Sequence, residues 1–148
     1  MPKMNARILA VDDEVKICEN CVKILSRQNH EVSYALDGYN ALKLIDRQDF
    51  AVVVTDLKIS SMGGMELLRR IQQGHPDTMV IVITAYATVS SAVEVMKMGA
   101  VDYLAKPFTA EELRGAVTRA RSPGPSITKR VYLSLPTGAP YFLTRSAM

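Results

Sequence analysis

Between residues 7 and 121 two kinds of segment alternate, and that alternation restricts the fold more than any other feature of the chain. Short β-branched or apolar runs fall at Ile8–Val11, Val32–Ala35, Ala51–Thr55, Met79–Ile83 and Val101–Leu104. The third and fourth runs lack polar alternation, the pattern of strands covered on both faces. Segments of helical length lie between them. Val15, Cys18, Val22 and Leu25 recur at helical spacing. Leu67, Leu68 and Ile71 do the same, as do Val89, Val93 and Met96, then Leu113, Val117 and Ala120. Breakers stand where helices should start or stop. Asp37-Gly38 opens the second helix, Gly63-Gly64 precedes the third, and Gly74-His75-Pro76 ends it. Gly99 takes a C-cap position after the fourth, and Thr109-Ala-Glu-Glu112 forms a capping box for the fifth. Five β-α units of this kind predict an α/β fold: a doubly wound, five-stranded parallel sheet with helices on both faces.

The chain has 148 residues, 48% apolar and 22% charged, which suits a soluble globular domain with a real core. No apolar run approaches the ~18 residues needed to span a bilayer. The first residues, Met-Pro-Lys-Met-Asn-Ala-Arg, lack the apolar stretch of a secretion signal. A cytoplasmic location with no membrane partner is expected. The net charge of +3 resides in Lys129, Arg130 and Arg145, because charges before residue 122 cancel. A neutral domain with a short basic tail gives no case for direct nucleic-acid binding. After Arg121 the run Ser-Pro-Gly-Pro-Ser cannot continue a helix. Residues 1–121 therefore read as one domain. Residues 122–148 read as a Pro/Gly-containing tail: a linker, appended foreign sequence, or a short hairpin turning Ile127–Leu135 back onto Tyr141–Leu143.

Polar residues should be rare at the ends of buried strands, yet here they collect there. Asp12 and Asp13 follow the first strand, Asp56 the third and Thr84 the fourth, and Lys106 lies just beyond the fifth. In a doubly wound sheet these ends meet on one rim, where ligands bind. Each residue alone has an ordinary reading: Asp13 or Thr84 as a helix cap, Lys106 as a surface lysine. Their joint placement argues for a shared pocket. Clustered carboxylates repel when ionised and recruit a hard cation, and Mg²⁺ suits a few carboxylates, waters and phosphate oxygens. A carboxylate is a competent nucleophile toward phosphorus, and a metal with a lysine would offset charge on the transferring oxygens. Thr84 would donate a hydrogen bond to one of them. Cys18 and Cys21 form a C-x-x-C pair inside a helical pattern. A zinc site would need about four ligands, and the only histidines are His30 and His75. Packed, reduced cysteines are expected.

The motifs Val11-Asp-Asp-Glu14, Thr55-Asp-Leu57, Ile83-Thr-Ala-Tyr86 and Tyr103-Leu-Ala-Lys-Pro-Phe108 resemble, in order and spacing, the response-regulator receiver family of two-component systems. The likeness covers about residues 6–121 and implies the flavodoxin-like receiver fold. It implies that Asp12 and Asp13 hold Mg²⁺ together with Asp56 and the carbonyl of Lys58. Asp56 would take a phosphoryl group from a sensor histidine kinase, and Thr84 and Lys106 would contact that group. The Lys106–Pro107 bond would be cis, and Tyr103 would swing inward as Thr84 moves. The stretches Thr84–Val89 and Met96–Leu104 look most like receivers of nitrogen-regulation-type transcription activators. That likeness implies self-association through the face of helix 4, strand 5 and helix 5, and control of a downstream output, transcription above all. Two departures fall after the acceptor: Ser60 where relatives commonly have Pro, and Gly63 where they have Asp. An aspartate-nucleophile phosphatase would want an acid two residues after Asp56, where this chain has Lys58. A nucleotide or flavin module would want a glycine-rich loop where Val11-Asp-Asp-Glu-Val-Lys16 stands. A signalling switch that is not a turnover enzyme remains the expected function.

Overall fold

The computed structural model describes residues 6–59 and 62–121, and the backbone of 129–134 and 140–145. The alternating order is β1 (Arg7–Val11), α1 (Val15–Ser26), β2 (Glu31–Ala35), α2 (Gly38–Arg47), β3 (Val52–Asp56), α3 (Gly64–Gly74), β4 (Met79–Thr84), α4 (Val89–Lys97), β5 (Asp102–Ala105) and α5 (Ala110–Arg121). Strands β6 (Lys129–Ser134) and β7 (Pro140–Arg145) follow. The sheet order is β2-β1-β3-β4-β5-β6-β7. The first five strands are parallel, as the alternation of segments predicts. The sheet carries two strands beyond those five: β6 pairs with β5 in parallel at Tyr103 and Leu133, and β7 pairs antiparallel with β6. Ser60, with the stretches 122–128 and 135–139 of the expected tail, lies outside the described residues.

Period-two alternation within the strands feeds two cores. Leu9, Val11, Val53, Val80 and Val82 face α2, α3 and α4, meeting Ile45, Leu67, Leu68, Ile71, Ala92 and Val95. Ile8, Ala10, Val52, Val54, Ile81 and Ile83 face α1 and α5, meeting Cys21, Leu25, Leu113 and Val117. Every residue of β3 is buried, which explains its unbroken apolar run, whereas the edge strand β2 keeps polar and half-exposed positions. Each fully buried aliphatic side chain contributes roughly 1.5–3 kcal/mol. The helix ends follow local chemistry. The Asp37 carboxylate accepts from the Asn40 N–H at 2.8 Å and opens α2. Thr109 and Glu112 cap α5 reciprocally at 2.8 and 3.0 Å. Gly99 closes α4 at a φ of 108°, a left-handed conformation that favours glycine.

Strand order reverses between β1 and β3, since the chain winds outward to β2 and then crosses to the other side of β1. The ends of β1 and β3 therefore flank the crevice where such folds take ligands.

Candidate phosphoacceptor site

The crevice is organised by a single cation. Lys106 follows β5, and its Nζ lies 2.7 Å from Asp12 Oδ2 and 2.7 Å from Asp56 Oδ2. Glu14 Oε1 is a third, longer partner at 3.7 Å. Asp12 is almost wholly buried just past β1, and its other oxygen accepts from the Glu14 N–H at 2.9 Å. Asp56 is the last residue of β3, and its Oδ1 accepts from the Lys58 N–H at 3.1 Å. Thr84 ends β4 fully buried. Its hydroxyl accepts from the Tyr86 N–H at 3.2 Å, and its carbonyl accepts from the Lys106 N–H at 2.8 Å. The Lys106–Pro107 bond is cis. Residues that are 94 positions apart in the chain thus share one hydrogen bond.

Burial and pairing oppose each other here. Burial pushes the Asp12 carboxyl above the usual carboxylate range, against hydrogen bonds from Lys106 and Glu14 that pull it down. Burial alone would lower Lys106, but its hydrogen bonds to Asp12 and Asp56 outweigh this and hold the ammonium above its ordinary value. The lysine is firmly charged and the buried carboxylates lean on it.

Asp13 stands exposed at the rim, one residue beyond Asp12. Among the described residues, no three His, Cys, Asp or Glu side chains form a ready-made metal cage. A magnesium ion asks for less, because it keeps several waters and takes one or two carboxylates. The oxygen-only donors Asp12 and Asp56, each within hydrogen-bond reach of one ammonium, have the chemistry for it.

Tyr103 is not at the rim. It is buried in the core beneath α4, 1% exposed, with its hydroxyl 2.6 Å from Ser91 Oγ. The expected inward swing therefore starts from a ring that is already inside. Two further residues frame the mouth. The Lys58 ammonium sits over the Tyr86 ring, 4.2 Å from its centroid, and links the loops after β3 and β4. Glu14 and Tyr86 belong to the matched motifs but were assigned no role by sequence; only their geometry places them at the site. Cys18 and Cys21 are free and buried. The Cys18 Sγ donates to the Asp12 carbonyl at 3.4 Å, and burial pushes the two thiols up to about 11 and about 12.

Residues 8–118 match the response regulator receiver domain. The chain belongs to that family. It is 34% identical over 116 residues to the transcriptional regulatory protein ZraR of Escherichia coli K12, covering 78% of this chain and 26% of that protein. It is 32% identical to sporulation initiation phosphotransferase F of Bacillus subtilis, covering 78% of this chain and 94% of the relative. Among solved structures, NtrX of Brucella abortus aligns with a TM-score of 0.75 at 35% identity, over 79% of this chain and 27% of that one. The beryllofluoride-activated NtrC4 receiver domain dimer aligns at 0.74 and 33% identity, over 77% and 94%. The receiver therefore resembles nitrogen-regulation-type activator receivers, and it spans about a quarter of the length of the transcription regulators it matches. Its function is that of a two-component receiver, switched by phosphotransfer. Among the described residues no helix is long and apolar enough to cross a membrane.

Proposed function

We propose that Asp56 is the phosphoacceptor, that Mg²⁺ assists, and that Thr84 and Lys106 bind the transferred group. The observation carrying this reading is the placement of Lys106 Nζ at 2.7 Å from both Asp12 and Asp56, with the β4 hydroxyl of Thr84 at the same rim. An Asp56 carboxylate oxygen attacks the phosphorus of a phosphohistidine. The P–O bond forms as the P–N bond breaks, and the imidazole leaves and takes up a proton. Lys106 then moves its charge from carboxylate to phosphoryl oxygen, and Thr84 donates its hydroxyl proton to another. Bound through Asp12, Asp13, Asp56 and the Lys58 carbonyl, Mg²⁺ supplies charge neutralisation. Two residues after Asp56 stands Lys58 and not the carboxylic acid that an aspartate-nucleophile phosphatase would use, which supports a switch rather than a turnover enzyme.

The donor is a sensor histidine kinase, and the receiver acts in the cytoplasm. Residues 1–121 act as the receiver, with 122–148 as a tail, and the output under its control is transcription by analogy with the relatives' names. Self-association through α4, β5 and α5 fits the dimeric NtrC4 receiver. Neither nucleic acid nor membrane is a direct partner of this segment. The test is phosphorylation by acetyl phosphate with Mg²⁺, followed by intact mass. The wild type should gain one phosphoryl group and Asp56→Asn none. Uptake by the variant at the normal rate would remove Asp56 from the role.

A further inference from the structure

Of the five strands that carry the acceptor rim, β5 is the outermost on its side, and an outermost strand presents N–H and C=O groups that can take a further strand. In this chain that edge is occupied. β6 lies along β5 in parallel, with Leu133 opposite Tyr103. β7 lies antiparallel on β6, from Lys129 opposite Arg145 to Ser134 opposite Pro140. The phosphoacceptor chemistry uses neither strand. Their sequence suits a sheet, because Val131, Tyr132, Tyr141, Phe142 and Thr144 are β-branched or aromatic. A two-stranded hairpin is marginal alone in water, so this one depends on the sheet that it extends. α4 packs on one face of that sheet and α5 on the other, so the edge of β5 runs between them. The hairpin therefore stands in the middle of the α4-β5-α5 face, the one proposed for self-association.

We propose that the segment 129–145 is an intramolecular cover that excludes a second copy of the chain from this face, so that the receiver self-associates only when the hairpin leaves β5. The inference rests on the proposed self-association through that face. Two added strands carry the sheet roughly 10 Å beyond β5, which keeps a second copy's helices away from α4 and α5. The two occupants therefore compete for one place. Seven residues, 122–128, separate α5 from β6 in the chain. A tether that short supplies its strand at an effective concentration on the order of millimolar, whereas a second copy arrives only at its own concentration. A cover seated about nine-tenths of the time leaves about one copy in ten competent, and a dimer takes two such copies. Its apparent dissociation constant then rises about a hundredfold.

Leu133→Pro in the full chain removes the cover and leaves every residue of the receiver as it is. Proline deletes the N–H at the position opposite Tyr103 and does not fit a strand paired on both sides. Val131→Pro, on the same strand, should act alike. Sedimentation velocity over a concentration series, with and without beryllofluoride and Mg²⁺, reads the dimer. Amide exchange in dilute solution reads the β5 edge. Each variant should dimerise at a concentration about a hundredfold below the wild type, and its Asp102–Ala105 amides should exchange faster. In the variant dimer the amides of α4, β5 and α5 should gain protection. Equal dissociation constants for variants and wild type overturn the cover and leave the self-association reading standing, whether or not exchange at β5 changes. A variant dimer that protects other elements instead overturns the cover, because the second copy then binds elsewhere. No dimer from any of the proteins, with or without beryllofluoride, overturns the self-association reading and the cover with it.

Discussion

A methyl group at position 64 would sit 2.1 Å from the Asp56 carbonyl oxygen and 2.7 Å from Leu57 Cα. Both neighbours are backbone, so the loop itself would have to move. The Gly64 N–H also donates to the Leu57 carbonyl at 2.9 Å, which pins the start of α3 against the end of β3. Gly64→Ala is expected to cost about 2 kcal/mol and to slow phosphoryl uptake several-fold by displacing Asp56. Urea unfolding alongside acetyl phosphate kinetics checks both, and a variant matching wild type in both would show that the loop yields freely. Gly63 is different. A Cβ there meets nothing within 4 Å, and the residue caps α3 without a side-chain bond. Gly63→Asp is expected to add a few tenths of a kcal/mol. The sequence marked Gly63-Gly64 as a helix opener, and Gly63 as a departure from the Asp of relatives. Which of the two glycines is required depends on how closely α3 approaches β3, and that distance is tertiary.

Elements differ in how far their chemistry could be read. The α5 capping box was legible because Thr109 and Glu112 carry the usual residue types. The α4 box was not, because Ser91 stands where Glu or Gln is usual, and the sequence offered Thr84 as a cap instead. Thr88 does the capping, and Thr84 stays with the rim. The link between β5 and α5 was equally hidden. Asp102 opens β5 almost fully buried, accepting from the Tyr103 N–H at 2.8 Å and from Arg119 at 2.9 Å. Burial pushes its carboxyl above the ordinary 3.8, and Arg119 and the Tyr103 N–H only partly offset this. A raised acid favours folding most below its unfolded value, and that contribution is lost as pH rises through the folded one. Asp102→Asn keeps an acceptor for the Tyr103 N–H without the buried charge. Its stability relative to wild type should therefore improve as pH rises from about 4 toward neutrality. Unfolding curves at several pH values test this, and a constant difference would mean that Arg119 compensates the charge fully.

For the whole molecule the alternating runs sufficed to predict the doubly wound sheet, because periodicity and burial agree along the five parallel strands. The convergence of Asp12, Asp56 and Lys106 followed from topology, since parallel strands bring their carboxyl ends to one rim. That Lys106 spans both carboxylates, and that Tyr103 lies inside, follow from side-chain packing that no spacing reveals. Mg²⁺ should raise the melting temperature in a concentration-dependent way, because an ion that binds only the folded rim stabilises by mass action. Asp13→Ala should weaken the effect. A thermal titration flat to roughly tens of millimolar would contradict the proposed donor set.

The two cysteines of α1 give the receiver a built-in clock. Their thiols sit in the interior with ionisation suppressed, so a thiol-specific reagent cannot react at the folded surface. Labelling must wait for α1 to part from the sheet. Its rate then measures how often that part of the molecule opens, in the native protein and without any introduced probe.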